Sequence, residues 1–257
     1  MADKSLRVRS KSNGKALAAI AVIDGIPVLN ELLLGLPANE RDSIFPALVY
    51  LPLRTHDMLH EPGEVIKFAY FMNSGLASVL TVLGEGKSVE VGLTGKEGFV
   101  GLPLIVGLRT SPTRAVVQIA GSAFRIRAAD LASVQSQCPV LEKRLQRFVQ
   151  MLAMQGTHVA ACNRLHEVDQ RMARWLLMCQ DRIGSATVTL TQEFLAHMLG
   201  TRRSSVTLAA RALQEAGLIT YRRGVVQIES RARLIAATCE CYPAMQRQIE
   251  NWRSESK

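Results

Sequence analysis

The residues best equipped for chemistry in this 257-residue chain lie in one short run. Positions 199–218 read LGTRRSSVTLAARALQEAGL, with Thr201, Arg202, Arg203, Ser204 and Ser205 packed together at the front. The positive end of a helix dipole favours acidic side chains at a first turn. Two guanidiniums and three hydroxyls there form instead a dense set of hydrogen-bond donors that lacks a negative partner. A second pair of cations, Arg222-Arg223 before Gly224, joins two strand-like runs at 217–221 and 225–228. The remaining reactive types are scattered. The five cysteines (Cys138, Cys162, Cys179, Cys239 and Cys241) are odd in number and widely spread, which argues against a disulfide scaffold. His56 and His60 stand four apart near a turn, a spacing that would permit haem ligation, and are read as surface residues. Cys239-Glu240-Cys241 is at best half of a metal or redox pair and is read as structural or incidental. The expectation is no metal site and no cofactor. No nucleophile–base set or phosphate loop is present, so the chain is not read as an enzyme.

The elements that must position the donors follow from spacing. Over 192–211, QEFLAHMLGTRRSSVTLAAR, Leu195 and Leu199 give a first helix its buried side and Ala196 permits close packing. Gly200 supplies a turn residue tolerant of positive φ. Val206, Ala209, Ala210 and Leu213 turn a second helix inward. Arg202, Arg203, Ser204, Thr207, Leu208 and Arg211 then point outward. This is a helix-turn-helix with a donor-rich outer face, and the missing anion is DNA. Arg203 is placed to pair with guanine, Ser and Thr to reach bases or phosphates. The 217–228 hairpin is a wing whose Arg222-Arg223 tip would lie on the phosphate backbone. Thr191 and Gln192 begin the first helix and would offer donors to another phosphate.

Charge agrees with this placement. Residues 141–234 hold fourteen Lys/Arg against seven Asp/Glu, whereas 16–140 hold nine against eleven. Basic patches attract polyanions. The segment 1–15 is also basic and reads as a flexible tail, without the apolar stretch of a secretion signal. A cytoplasmic protein with no membrane partner is expected. Residues 16–50 carry short apolar helical patterns. From 51 to 128 apolar and polar residues alternate in short runs broken by Gly, Pro and Asn, the texture of an all-β unit. Asn73-Ser74-Gly75 and Gly84-Glu85-Gly86 read as turns. Leu141, Leu145, Phe148, Val149, Leu152 and Val159 then form an apolar stripe on a helix expected to run from about 129 into the 160s. Such a stripe calls for a partner helix, most simply from a second copy of the chain. A hinge is expected over 163–167.

With these residues in hand, the chain resembles the Crp/Fnr transcription regulators. HEPGE at 60–64, KEGFVG at 96–101, QRMARWLL at 170–177, LTQEFLAHMLGTRRSSV at 190–206 and AGLITYRRGVVQI at 216–228 carry the resemblance. It implies an α+β fold: an N-terminal cyclic-nucleotide-binding-like β-roll, a long dimerisation helix and a C-terminal winged helix-turn-helix. The corresponding segments are a tail with a short helical piece at 1–27, the β-roll at 28–128, the dimer helix and hinge at 129–165, the winged domain at 166–240 and a C-terminal tail at 241–257. It implies a homodimer on double-stranded DNA, with half-sites about 34 Å apart, in contact with RNA polymerase. The phosphate-binding places of the family fall at Gly101, Leu102, Thr113 and Arg114. Leu102 stands where the family's ribose-binding Glu would be, and Arg114 is one residue out of step, so cyclic-nucleotide binding is not expected. The rival reading is a ligand-binding signalling module that never touches DNA.

Overall fold

The computed structural model describes residues 21–84 and 87–255. The basic segment 1–20 and the Glu85-Gly86 part of the expected turn lie outside the described residues. The described chain begins with a hairpin, β1 (Val22–Ile23) and β2 (Ile26–Pro27), around Asp24-Gly25. Both turn residues have positive φ, 50° and 79°, the geometry of a type I′ turn. Residues 22–27 are thus strand and turn, in place of the expected helical piece. Two short helices follow, α1 (Glu31–Leu34) and α2 (Ala38–Ile44).

Six strands build the main sheet: β3 (Val49–Leu53), β4 (Met58–His60), β5 (Phe68–Val82), β6 (Ser88–Thr94), β7 (Phe99–Val100) and β8 (Thr113–Arg127). The antiparallel order is β3-β8-β5-β6, with β4 also on β8 and β7 on β5. The strands β5 and β8 pair along fifteen residues each, with register shifts around Ser74 and Leu76. Those bulges bend the pair and let one sheet roll around its own core. Gly75 (φ 74°) and Gly121 sit where the two backbones nearly touch; a Cβ on either would fall 2.3–2.5 Å from the other strand's backbone oxygen.

The helical half begins with α3 (Ala128–Gln135) and α4 (Pro139–Leu165). The sequence pattern suggests one continuous helix, but the chain breaks at 136–138. Pro139 disfavours helix at the preceding residue and fits the first helical position of a new one. The carboxylate of Glu40, itself buried, accepts from the backbone N–H groups of Val140 (2.8 Å) and Leu141 (2.9 Å) and caps α4 from α2. The 27 residues of α4 give it a length of about 40 Å.

The stripe on α4 is not a free dimer face. Leu141, Leu145 and Phe148 are buried in the chain's own core with Leu33, Ile44, Phe71, Phe99 and Phe124. Val159 is buried as well, Leu152 is half-buried, and of the six only Val149 is exposed. Periodicity marks which side of a helix is covered, and here the cover is the same chain's sheet and short helices.

After α4, helix α5 (Val168–Ile183) runs through the middle of the molecule. A reciprocal capping box between Glu167 and Gln170 starts it, and every residue from Arg171 to Cys179 is buried. Trp175 joins a core that holds Leu76, Leu80 and Leu93 of the sheet together with Leu195, Val206 and Leu213 from the helices beyond. Those elements are β9 (Thr187–Thr189), α6 (Gln192–Leu199), α7 (Arg203–Glu215), β10 (Ile219–Arg222), β11 (Val225–Ile228) and α8 (Arg231–Ala236). The small sheet has the order β10-β11-β9. The expected C-terminal tail is instead a helix, α9 (Cys241–Ser254), packed on α4 and α5. The hydroxyl of Tyr242 donates to Asp181 (2.9 Å), which also pairs with Arg231 (2.6 Å). Among the described residues no helix is long and apolar enough to cross a membrane.

One polar contact sits inside this joint. Trp175 Nε1 donates to Glu90 Oε1 (3.0 Å), and the Ser78 hydroxyl lies 2.6 Å from Glu90 Oε2 and also bonds Gln118. Full burial, opposed by those hydrogen bonds and by Arg174 and Arg182, pushes the Glu90 carboxyl up to about 7. Below about pH 4.5 Glu90 is protonated in both folded and unfolded chains. Between there and about 7 the unfolded chain ionises it while the folded chain holds the proton, so stability falls as pH rises and then levels off. The full effect is on the order of 3 kcal/mol. Glu90→Gln keeps the Trp175 contact and removes the titration. Thermal melts should show the variant equal to the parent at about pH 4.5 and more stable at about pH 8.

Candidate nucleic-acid interface and a thiol cluster

The helix-turn-helix is built as its spacing requires. Thr191 caps α6, its hydroxyl accepting from the Phe194 N–H (3.1 Å). Leu195, Ala196, Met198 and Leu199 are buried, and Gly200 ends the helix in the left-handed region at φ 57°. The turn has a second constraint that local sequence does not reveal. A Cβ on Gly200 would lie 2.7 Å from Val89 Cγ2, because the turn rests on β6.

On α7, Val206, Ala209, Ala210 and Leu213 are buried, as expected. Arg202, Arg203, Ser204, Thr207, Leu208 and Arg211 are exposed, Leu208 by 68%. Ser205 is half-buried. Among the described residues Arg202 and Arg203 make no ion pair and no side-chain hydrogen bond. Arg211 is held by Glu215, one helical turn on, at 2.7 Å. Thr207 donates to Gln192 Oε1 (2.9 Å) and lies 3.1 Å from the Arg203 carbonyl, so the starts of α6 and α7 are tied together. Arg222 and Arg223 form the tip of the β10–β11 hairpin, both exposed, with Arg223 and Gly224 at positive φ. The structure thus brings α7, the start of α6 and the wing tip into one donor-rich unit.

In the β-roll the four family positions lie apart in character. Gly101 has φ 116° and begins a short 3-10 turn, Leu102–Val106. Thr113 bonds Ser111 through their hydroxyls (2.8 Å). Arg114 is paired with Glu61 at 2.8 Å, so its guanidinium already has a carboxylate. The two histidines also separate. His56 is exposed and packs edge-on against Phe194 of α6, ring centroids 5.5 Å apart. His60, expected at the surface, is buried on β4 with neither ring nitrogen hydrogen-bonded among the described residues. Burial draws its pKa below the ordinary value, against the field of Glu61.

The expectation of no cofactor fails at a cluster formed by the two ends of the winged unit. Cys162, His166, Cys239 and Cys241 converge, with their ligand atoms all within 4.8 Å of one another. Cys162 Sγ is 3.5 Å from Cys239 Sγ, and Cys241 Sγ is 3.7 Å from His166 Nδ1. The hydrogen bond with Cys239, aided by the nearby Arg174 guanidinium, favours the thiolate at Cys162 over its partner. Such a donor set can hold a metal ion. The sequence signal was divided: a Cys-x3-His pair at the end of α4 and a Cys-x-Cys pair before α9, each too weak alone.

Comparison with known proteins agrees with the winged unit. Residues 170–237 match the family model of the Crp-like helix-turn-helix domain. The chain carries a Crp-like domain. Over about three quarters of the chain the fold is like those of solved regulators of the Crp/Fnr type. It resembles a transcriptional regulator of that family from Eubacterium rectale at 17% identity and TM-score 0.62, over 81% of this chain and 98% of that one. It resembles FixK2 from Bradyrhizobium japonicum at 14% identity and TM-score 0.64, over 75% and 98%. The regulator CLP from Xanthomonas campestris, described as responsive to c-di-GMP, matches at 17% identity and TM-score 0.62, over 76% and 100%. No curated protein matches the chain.

Within the Crp-like domain, Gly200 can be tested directly. Gly200→Ala forces an L side chain into a left-handed backbone and into Val89. Urea unfolding should show a loss of about 1–3 kcal/mol, and an unchanged midpoint would contradict the packing described.

Proposed function

We propose that this chain is a DNA-binding transcription regulator that grips a near-palindromic operator as a homodimer, with the β-roll as its sensory unit. The observation that carries the reading is the exposed face of α7, where Arg202 and Arg203 stand without an internal anion among the described residues. Its N-terminal residues are those a recognition helix offers to base edges. Arg203 pairs with a guanine through O6 and N7. Arg222 and Arg223 at the wing tip, and Thr191 and Gln192 at the start of α6, hold phosphates and add affinity without sequence information.

The dimer in this proposal uses the face of α4 that the chain's own core leaves open. Val149, Ala153 and Ala160 are exposed there and recur at helical spacing. Small residues let two helices approach closely, and Val149 supplies an apolar anchor. Val149→Glu should convert dimer to monomer in sedimentation velocity while leaving the melting curve of the chain nearly unchanged.

The DNA roles are separated by two substitutions, tested on a site selected from random duplexes. Arg203→Ala should weaken that site by about 1–3 kcal/mol and relax choice at one base pair. Arg222→Ala should weaken specific and random duplexes alike and lower the salt dependence of binding by about one ion. Equal losses by both variants on both kinds of DNA would refute this division, and no binding to any duplex by the parent would refute the function.

A further inference from the structure

We infer that Cys162, His166, Cys239 and Cys241 form a closed tetrahedral site for a thiophilic divalent cation, zinc above all, that fastens the two ends of the winged domain to each other. Three sulfurs and one imidazole are a donor set of structural zinc sites, in which the protein fills all four positions. The spacing fits. Metal–sulfur bonds of about 2.3 Å and metal–nitrogen bonds of about 2.0–2.1 Å put tetrahedral edges at about 3.8 Å between sulfurs and about 3.6 Å between sulfur and nitrogen. The corresponding separations are 3.5 Å for Cys162–Cys239 and 3.7 Å for Cys241–His166.

The surroundings are those of a metal site. The other ring nitrogen of His166, Nε2, lies 3.1 Å from the Glu240 carboxylate, which fixes the ring and leaves Nδ1 turned toward the thiols. The three cysteines are buried and close a small cluster of their own. Two guanidiniums are buried beside them. Arg171 and Arg174 are 6% and 3% exposed, neither has a carboxylate within ion-pair distance among the described residues, and the Nε of each has no hydrogen-bond partner. Buried cations need compensating charge. A divalent ion with three thiolates and one neutral imidazole carries one net negative charge, which offsets one of the two.

The position of the site gives it a mechanical role. Cys162 and His166 end α4, whereas Cys239 and Cys241 bracket the start of α9, so the whole matched Crp-like domain lies on the loop the metal closes. Arg171, alongside the cluster, donates to the carbonyl of Leu199, the last residue before the helix-turn-helix turn. The metal thus holds the hinge after Leu165, the exit of the winged domain and, through Arg171, the end of α6. This inference is independent of the DNA reading.

The test uses full-length protein purified without chelator. Elemental analysis should find one zinc per chain, released when the thiols are modified. Cobalt(II) added to the demetallated protein should give the intense red-region bands of a tetrahedral ion with thiolate charge transfer in the near ultraviolet, and zinc should displace it. The Cys239→Ser/Cys241→Ser double variant should lose both signals, and Cys138→Ser should keep them. His166→Cys should keep binding with a shifted cobalt spectrum. Metal removal should lower the melting temperature and open the chain near 166–168 to protease. Should the double variant fail to fold, the parent's zinc content and cobalt spectrum still decide. Absence of stoichiometric metal, a Cys162–Cys239 disulfide in protein isolated with its thiols blocked, or iron with acid-labile sulfide would each overturn the proposal.

Discussion

The contact between Trp175 and Glu90 is the constraint around which the rest is arranged. It places the most fully enclosed helix of the winged half, α5, directly on β6 of the roll. Apolar side chains from both halves fill one continuous core around it. Neither half therefore has a finished interior without the other. A buried carboxyl at such a joint is costly when ionised, and its hydrogen-bond partners come from β5 through Ser78 and from α5 through Trp175. The orientation of the winged half on the roll is thus specified by polar geometry, whereas the surrounding leucines supply non-directional cohesion.

Some cations of the chain are held by internal carboxylates and others are left open. Arg114 of the roll is matched to Glu61, and Arg182 of α5 is matched to Glu97 across the joint between the halves. Among the described residues Arg202, Arg203, Arg222 and Arg223 on α7 and the wing have no internal ion pair, whereas Arg211 is restrained by Glu215. Exposed guanidiniums without an internal carboxylate make that face complementary to a polyanion.

Much of the winged unit was legible in sequence because its rules are local. Gly200, Ala196, Val206, Ala209 and Ala210 lie within fifteen residues, and size, polarity and backbone freedom all bear on the same few positions. What was illegible depended on distance. The stripe of Leu141, Leu145 and Phe148 announces a covered side, yet periodicity is identical whether the cover is a second chain or the same one. Cys162 and His166 meet Cys239 and Cys241 only because α9 folds back on α4, and α9 itself was hidden by a polar composition in which few residues beyond Cys241, Tyr242 and Met245 are buried. The break before Pro139 could be read locally, from the bias against helix in the residue preceding proline.

Gly200 answers to two masters. Its dihedral angles belong to the turn, but the vacancy where a side chain would sit is shaped by Val89, more than a hundred positions earlier. The two demands are separable. Trimming Val89 to alanine makes room for a methyl group at 200 and leaves the backbone penalty in place. A change of side chain at position 89 on the roll is therefore felt at the helix-turn-helix turn before any residue of that turn has changed.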